Sequence, residues 1–399
     1  MKIGILREGK VPVDHRVPFT PEQCKEIKEK FNVEVVVKSS EVRCFPDKDF
    51  SDQGIKVVDD ISDCDVLFGV KEVQEDELIS DKMYFFFSHT IKKQPFNQTL
   101  LQKVIKKNIQ LVDYECLRKN DRRVVAFGRF AGIVGAYNGI WTWGKKHGTF
   151  DIKRACACKD IEELWKELKK ITLPGLKAVL TGGGRVSTGA EEVLHQAGFT
   201  KVSTKDYLNK SFENPVYVQL DTDQYNVPKD STGVFNVEEF YTHPENYISS
   251  FPRFLGVTDM FIAGAYWDPA APALFTREDT RKNFRMKVIA DITCDIDGSI
   301  PTTIKATTID DPVYDFDLEK WEERPPFSDN KYLSVMSVDN LPCEVPRDAS
   351  ESFGRQLIDN VVPELFKADS QMIDEASITT KKGLNKHYEY LRDYAEGKE

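Results

Sequence analysis

The stretch that decides the fold is Thr181-Gly182-Gly183-Gly184-Arg185-Val186-Ser187-Thr188-Gly189-Ala190. A short apolar strand, Leu176–Leu180, leads into it, and Ala190–Ala197 follows with helical spacing that Gly198 can end. Strand, glycine-rich turn and helix are the context a dinucleotide fingerprint requires. Gly182 permits the tight turn, and Gly184 lets the backbone approach a pyrophosphate. The helix start supplies free N–H groups and a positive dipole end for that anion. Gly183, Arg185 and Val186 lie in the same turn and are counted with the site. Ser187 stands where the usual G-x-G-x-x-G has its third glycine, and Gly189 comes two residues later. The plainer alternative, a turn without a ligand, leaves the flanking strand and helix unexplained.

The next strand, Lys201–Thr204, is expected to end near the adenosine ribose of NAD or NADP. An acid there accepts a hydrogen bond from the 2′-hydroxyl of NAD, whereas a cation suits the 2′-phosphate of NADP. Asp206, 24 residues after Gly182, is the candidate, with Lys205 beside it. The choice between NAD and NADP stays open.

Upstream, strands and helices alternate. Lys2–Leu6 and Val33–Val37 are β-branched runs, and between them Thr20–Phe31 has helical spacing. Thr20 can cap that helix, Pro21 suits its first position, and Gln23 completes a capping pattern. Val66–Val70, Met83–Phe87 and Ile109–Leu111 are further strands, with a helix over Asn97–Lys107. Such alternation predicts a doubly wound, largely parallel α/β sheet. Ligands bind these sheets at the carboxyl ends of the strands. Lys71 and His89 follow two such ends. Each also has a blander reading, as a solvated loop lysine and as a histidine satisfying local backbone.

Between the halves, Gly128, Gly132, Gly135 and Gly139 recur at helical spacing within Val124–Gly148. Glycine costs roughly 1 kcal/mol per residue in a helix, so this helix is expected to pack closely on another backbone. Downstream, Met260–Ala265, Lys287–Asp291 and Ser334–Val338 read as strands. Asp310–Asn330 reads as an exposed excursion and Ser350–Leu365 as an amphipathic helix. Asp291, Asp295 and Asp297 read as turn and capping residues, so no metal site is expected. Tyr388, Tyr390, Leu391 and Tyr394 are docking contacts in a polar C-terminal stretch.

The 399 residues include 55 Lys+Arg against 65 Asp+Glu, a formal net charge of −10. That balance disfavours nucleic acid, which needs a basic footprint, and an anionic membrane surface. No apolar run is long enough to span a bilayer, and the N-terminal residues lack the pattern of a signal peptide. Eight scattered cysteines without a C-x-x-C pair read as reduced thiols. A cytoplasmic small-molecule enzyme is the expectation.

Several stretches, in order, resemble the saccharopine dehydrogenase family. They are Arg16-Val17-Pro18-Phe19-Thr20-Pro21, Gly69-Val70-Lys71-Glu72, Phe86–Gln94 around His89, and Arg122–Gly128 with Ala131-Gly132. The glycine turn, Gly264-Ala265-Tyr266-Trp267 and Ser337–Pro342 complete the set. A weaker similarity extends to alanine dehydrogenase and the transhydrogenase domain. The resemblance implies two Rossmann-like domains around an interdomain cleft. It places a substrate domain at 1–127 plus 345–399 and a dinucleotide domain at 128–344. It implies reversible, NAD- or NADP-dependent condensation of lysine with 2-oxoglutarate to saccharopine, with an amino acid and a 2-oxo acid as substrates.

By the same resemblance, Lys71 and His89 are the acid–base groups, and Glu72 and Glu115 are acids that tune them. Arg16 and Arg123 hold substrate carboxylates, Gln94 falls in the matched run, and Asp339 lies toward the nicotinamide. Arg122 can replace Arg123, because side chains alternate along a strand. The second enzyme fused in the bifunctional animal protein is absent from this sequence, and the bridging cysteine pair of the fungal relative has no clear counterpart. The alternatives are an alanine-dehydrogenase-like enzyme using ammonia and a short 2-oxo acid, and a nucleotide-binding regulator without catalysis. The acid–base pair counts against the regulator.

Overall fold

Met83-Tyr84-Phe85-Phe86-Phe87 shows why the first part of the chain builds a covered parallel sheet. Tyr84 and Phe86 point into one buried cluster, and Phe85 and Phe87 into the cluster on the opposite face. A strand apolar on both faces needs helices on both sides, as parallel sheets have. The structure is a computed structural model that describes residues 1–230 and 233–398. It divides into two units, Met1–Phe127 with Pro346–Glu399, and Gly128–Val345.

The first unit holds six parallel strands: β1 (Lys2–Ile5), β2 (Glu34–Lys38), β3 (Lys56–Val58), β4 (Val66–Phe68), β5 (Met83–Phe86) and β6 (Gln110–Asp113). Their order is β3-β2-β1-β4-β5-β6, so the winding reverses between β1 and β4. Helix α1 (Pro21–Phe31) opens with the expected capping box, Thr20 and Gln23 satisfying each other's backbone N–H. Helices α2 (Asp47–Asp52) and α3 (Gln98–Lys106) lie between strands, and the hairpin β7 (Arg118–Lys119)–β8 (Arg122–Arg123) follows β6.

The returning segment completes this unit's core. Phe353 stacks on Phe127, with ring centroids 4.3 Å apart, and meets Tyr114 edge-on. The expected helix Ser350–Leu365 begins earlier and ends earlier, at Pro346–Asn360, and a 3-10 turn containing Pro363 takes Val362–Phe366. Proline removes a backbone donor and cannot continue a helix interior. Of the expected docking residues, Tyr388, Leu391 and Tyr394 are buried in the core cluster, and Tyr390 is exposed.

In the second unit the long helix α4 (Gly128–His147) precedes α5 (Ile161–Leu168), β9 (Lys177–Thr181) and α6 (Arg185–Gln196). Of the four glycines singled out in α4, Gly132 packs on another backbone as expected, while Gly128, Gly135 and Gly139 first meet side chains. A Cβ at Gly132 would stand 1.8 Å from the Val186 carbonyl oxygen, and one at Gly189 would stand 1.9 Å from that of Arg129. Helices α4 and α6 therefore meet backbone to backbone.

The sheet continues with β10 (Thr200–Lys201), helix α7 (Thr204–Asn209), β11 (Val216–Leu220) and helix α8 (Thr222–Tyr225). After the hairpin β12 (Asn226–Pro228)–β13 (Tyr247–Ser249) come β14 (Met260–Ala263) and β15 (Val288–Asp291). The last strands are β16 (Val313–Asp317), β17 (Glu322–Arg324) and β18 (Leu333–Met336). Their order is β10-β11-β9-β14-β15-β18-β16-β17, parallel except where β16 and β17 run antiparallel.

Three expectations are corrected here. The strand Lys201–Thr204 stops at Lys201, because the Ser203 hydroxyl accepts from Asp206 N (3.1 Å) and starts α7. Helix α6 starts at Arg185, directly after Gly184, and not at Ala190. Asp310–Asn330 is not wholly an exposed excursion, since Val313–Asp317 is a buried strand. Its acid Asp315 is satisfied inside by Ser334 Oγ and Ser328 N, with Lys146 Nζ 3.7 Å away. Asp291 has the expected turn chemistry, accepting from Thr293, Cys294 and Thr303. Among the described residues, no helix is long and apolar enough to cross a membrane.

Candidate active site

All the acid–base candidates of the first unit come from the carboxyl ends of its strands. Glu8, Asp14 and Arg16 follow β1, Lys71 and Glu72 follow β4, His89 follows β5, and Asp113–Glu115 closes β6. β1 and β4 are the pair where the winding reverses, the crevice that doubly wound sheets use for ligands.

Glu8 fixes the end of β4. Its two carboxylate oxygens accept from Val70 N (2.7 Å) and Lys71 N (2.9 Å). Burial and the Asp14 carboxylate push Glu8 up to about 8, against the lowering effect of those amides and Arg16. The buried Tyr114 hydroxyl donates to Gly69 O at 2.9 Å and pins the same strand end. Lys71 is therefore presented from a rigid base. Burial lowers its pKa, and the charges of Arg16 and Lys10 lower it further, while Glu72 and Asp14 act the other way.

Glu72 is hydrogen-bonded to Nδ1 of His89, and its second oxygen lies 3.5 Å from Lys10 Nζ. Burial opposes its charge, but the His89 hydrogen bond and the charges of His89 and Lys10 outweigh it and hold the carboxyl at about 2. A carboxylate only accepts, so Nδ1 carries the hydrogen and Nε2 is the ring's proton-exchanging atom. His89 itself has φ 53°, a left-handed conformation that histidine adopts more readily than bulky residues do. Beneath it, the fully buried Asp113 accepts from both Ser88 N (2.9 Å) and the Ser88 hydroxyl, and from Glu115 N (2.7 Å). These bonds shape the turn that carries His89.

The cations are arranged in two ways. Arg16 is fully buried, with Nε and Nη2 on Asp14 at 3.0 and 2.6 Å and its guanidinium 4.2 Å over the Phe127 ring. Arg123 is half-exposed, with Nη2 3.9 Å from Glu115 Oε1, and Lys92 Nζ lies 3.4 Å from the same oxygen. Arg122 is exposed and pairs with Lys119 in the hairpin, so it is Arg123 that the strand turns toward Glu115. Gln94 is half-buried beyond His89, and its carbonyl accepts from the Tyr394 hydroxyl.

The second unit carries the glycine turn at its own reversal, between β9 and β14. Gly182 has φ 95°, and a Cβ there would lie 3.0 Å from Ala265 Cα. A Cβ at Gly183 would lie 2.6 Å from Asp221 Oδ1, whereas one at Gly184 would meet nothing within 4 Å. The open space at Gly184, directly before Arg185 and Val186 at the start of α6, fits a pyrophosphate held by helix N–H groups. Ser187, in place of the third glycine, is buried and donates to Thr181 O at 3.1 Å. The helix–helix approach is left to Gly189. Asp206 lies in the first turn of α7, 2.9 Å from Lys210, and Asp339 is exposed beyond β18.

Sequence reasoning passed over Glu8, Asp14, Asp113 and Asp221. Glu8 and Asp113 were discoverable by the strand-end rule that exposed Lys71. Asp221 follows Val216–Leu220, a run of four apolar residues and Gln219 that is itself a strand signal.

Comparison with known proteins agrees with this architecture. Residues 4–134 match the family model described as alanine dehydrogenase/PNT, N-terminal domain. Over its whole length the chain is similar to mitochondrial alpha-aminoadipic semialdehyde synthase of Rattus norvegicus. The two are 29% identical, with 100% of this chain and 48% of the rat protein covered. It is also 25% identical to the saccharopine dehydrogenase [NAD(+), L-lysine-forming] of Yarrowia lipolytica, over 90% of each. The chain thus spans about half the length of the semialdehyde synthases it matches. Among solved structures, an L-alanine dehydrogenase superposes with a TM-score of 0.65 at 15% identity, over 99% of both chains. That likeness speaks for the fold. The family resemblance read from the sequence holds across these comparisons.

Proposed function

We propose that this protein is a nicotinamide-dependent oxidoreductase acting on CH–NH bonds, of the saccharopine dehydrogenase type. It joins L-lysine to 2-oxoglutarate reversibly. The observation that carries this reading is the arrangement of Lys71 beside the Glu72–His89 pair at a sheet reversal, within a cluster of cations. The glycine turn of the second unit supports the cofactor, NAD or NADP, which when bound supplies or takes the hydride.

The chemistry needs an ammonium to lose a proton, the free amine to attack the ketone carbon, and the adduct to lose water as an imine. Lys71, with its proton made easier to lose, accepts the amine's proton and later returns one to the departing hydroxyl. His89 exchanges protons at Nε2, and the ionised Glu72 steadies the ring when it is charged. Arg123 and Lys92 offer half-exposed cations for substrate carboxylates, balanced by Glu115. Arg16, clamped by Asp14, acts from beneath by keeping positive potential on Lys71.

The test is NADH and NADPH oxidation with lysine plus 2-oxoglutarate, set against ammonia plus pyruvate. Turnover with the first pair supports the proposal. Turnover with the second pair alone replaces it with the alanine dehydrogenase reading. Dinucleotide binding without turnover on any amine and keto acid leaves a regulator.

A further inference from the structure

The geometry points to Asp221 as the residue that selects NAD(H) over NADP(H), an inference that rests on the proposed dinucleotide site. In chain order β11 is the third strand of the second unit, yet it takes the place beside β9, and β10 is pushed to the edge. Two hydrogen bonds fasten the end of β11 to the glycine turn. Gly182 N donates to Leu220 O at 2.9 Å, and Gln219 Nε2 donates to Gly182 O at 2.9 Å. The residue after Leu220 is thereby held against the turn. Asp221 Oδ1 sits 2.6 Å from where a Gly183 Cβ would be, so a side chain at 183 would displace this carboxylate from the turn.

Asp221 is exposed, and its own N–H is satisfied by Gln224 Oε1 at 2.9 Å. Gly183 and Asp221 adjoin the turn that starts α6, so a dinucleotide held there by its pyrophosphate would bring a ribose within reach of this carboxylate. Beyond it, Thr181, Thr222, Tyr225, Tyr241, Ala265 and Trp267 line a small pocket at the ends of β9, β11 and β14. A carboxylate accepts hydrogen bonds from a ribose 2′-hydroxyl and repels a 2′-phosphate. Two cations of this region are engaged elsewhere. Lys201 Nζ lies 2.8 Å from Glu191, and Arg253 donates to Gln224 O at 2.6 Å. Asp206, the sequence-based candidate, belongs to the edge of the sheet and not to the strand beside β9.

The experiment is a fluorescence titration of the full chain with NADH and NADPH, repeated on Asp221→Ser and Asp221→Arg, with melting curves to confirm folding. The parent should bind NADH tighter by on the order of tenfold, as a carboxylate facing a phosphate dianion requires. Asp221→Ser should bring the two affinities together, and Asp221→Arg should favour NADPH. Equal or tighter binding of NADPH by the parent, or an unchanged preference in both folded variants, overturns the inference while leaving the dinucleotide site in place. Failure of both dinucleotides to bind the parent removes the proposed function, and this inference with it.

Discussion

Each side chain of the candidate site carries a separable expectation. Lys71→Met and His89→Gln should each lower kcat by about 10²–10⁴, with little change in dinucleotide affinity, as loss of a general acid–base group does. If they serve the same proton transfers, the double variant should fall well short of the product of the single losses in steady-state rates. Glu8 gives a stability signature. Its carboxyl is held at about 8 in the fold against an ordinary 4.5, so between those values the folded chain binds more protons than the unfolded one. Stability from this group therefore declines as pH rises from about 4.5 to 8 and is level above. Glu8→Gln should abolish that slope, which thermal melts of both proteins across the range will show. At this scale the sequence made Lys71 and His89 visible, because both directly follow apolar strand runs. The same rule points to Glu8 and Asp113, but the backbone N–H groups they hold are brought to them by the fold, and no local pattern displays that pairing.

Elements were legible where local chemistry and tertiary packing agree. Thr20, Pro21 and Gln23 specify the start of α1 with no help from elsewhere. The strand β16 was missed because its acids, Asp315 and Asp317, mimic a solvated loop, yet both are buried and partnered. β10 ended early because a serine cap outcompeted a weak strand. The glycines of α4 and α6 make the sharpest expectation for these elements. Gly132→Ala should cost about 3 kcal/mol or more, since the new carbon overlaps a carbonyl oxygen that neither helix can move aside; chemical denaturation measures this. Gly184→Val makes the opposite case. Its side chain enters open space, so the melting temperature should hold while dinucleotide binding, read by fluorescence titration, is lost.

For the molecule as a whole, the second unit is one continuous stretch, whereas the first is assembled from both ends of the chain. Residues 128–345 expressed alone should fold cooperatively and bind dinucleotide, which calorimetry and titration can check. A doubly wound α/β fold followed from the alternation of runs along the sequence, and its division into two Rossmann-like domains from the family resemblance. Which strand lies beside β9 did not, because strand order is set by long-range pairing that no local pattern encodes. The stitching of the first unit has a further consequence during synthesis. Val17 N donates to the Ser350 hydroxyl, Gln23 Nε2 to Glu351 O, and the rings of Phe87, Tyr114 and Phe127 close on Phe353. Synthesis must therefore pass residue 346 before the earliest residues of a nascent chain can finish their core, while the middle is already able to fold. Chains stalled before residue 346 should yield a protease-resistant centre and a protease-sensitive beginning, the order of maturation running opposite to the order of translation.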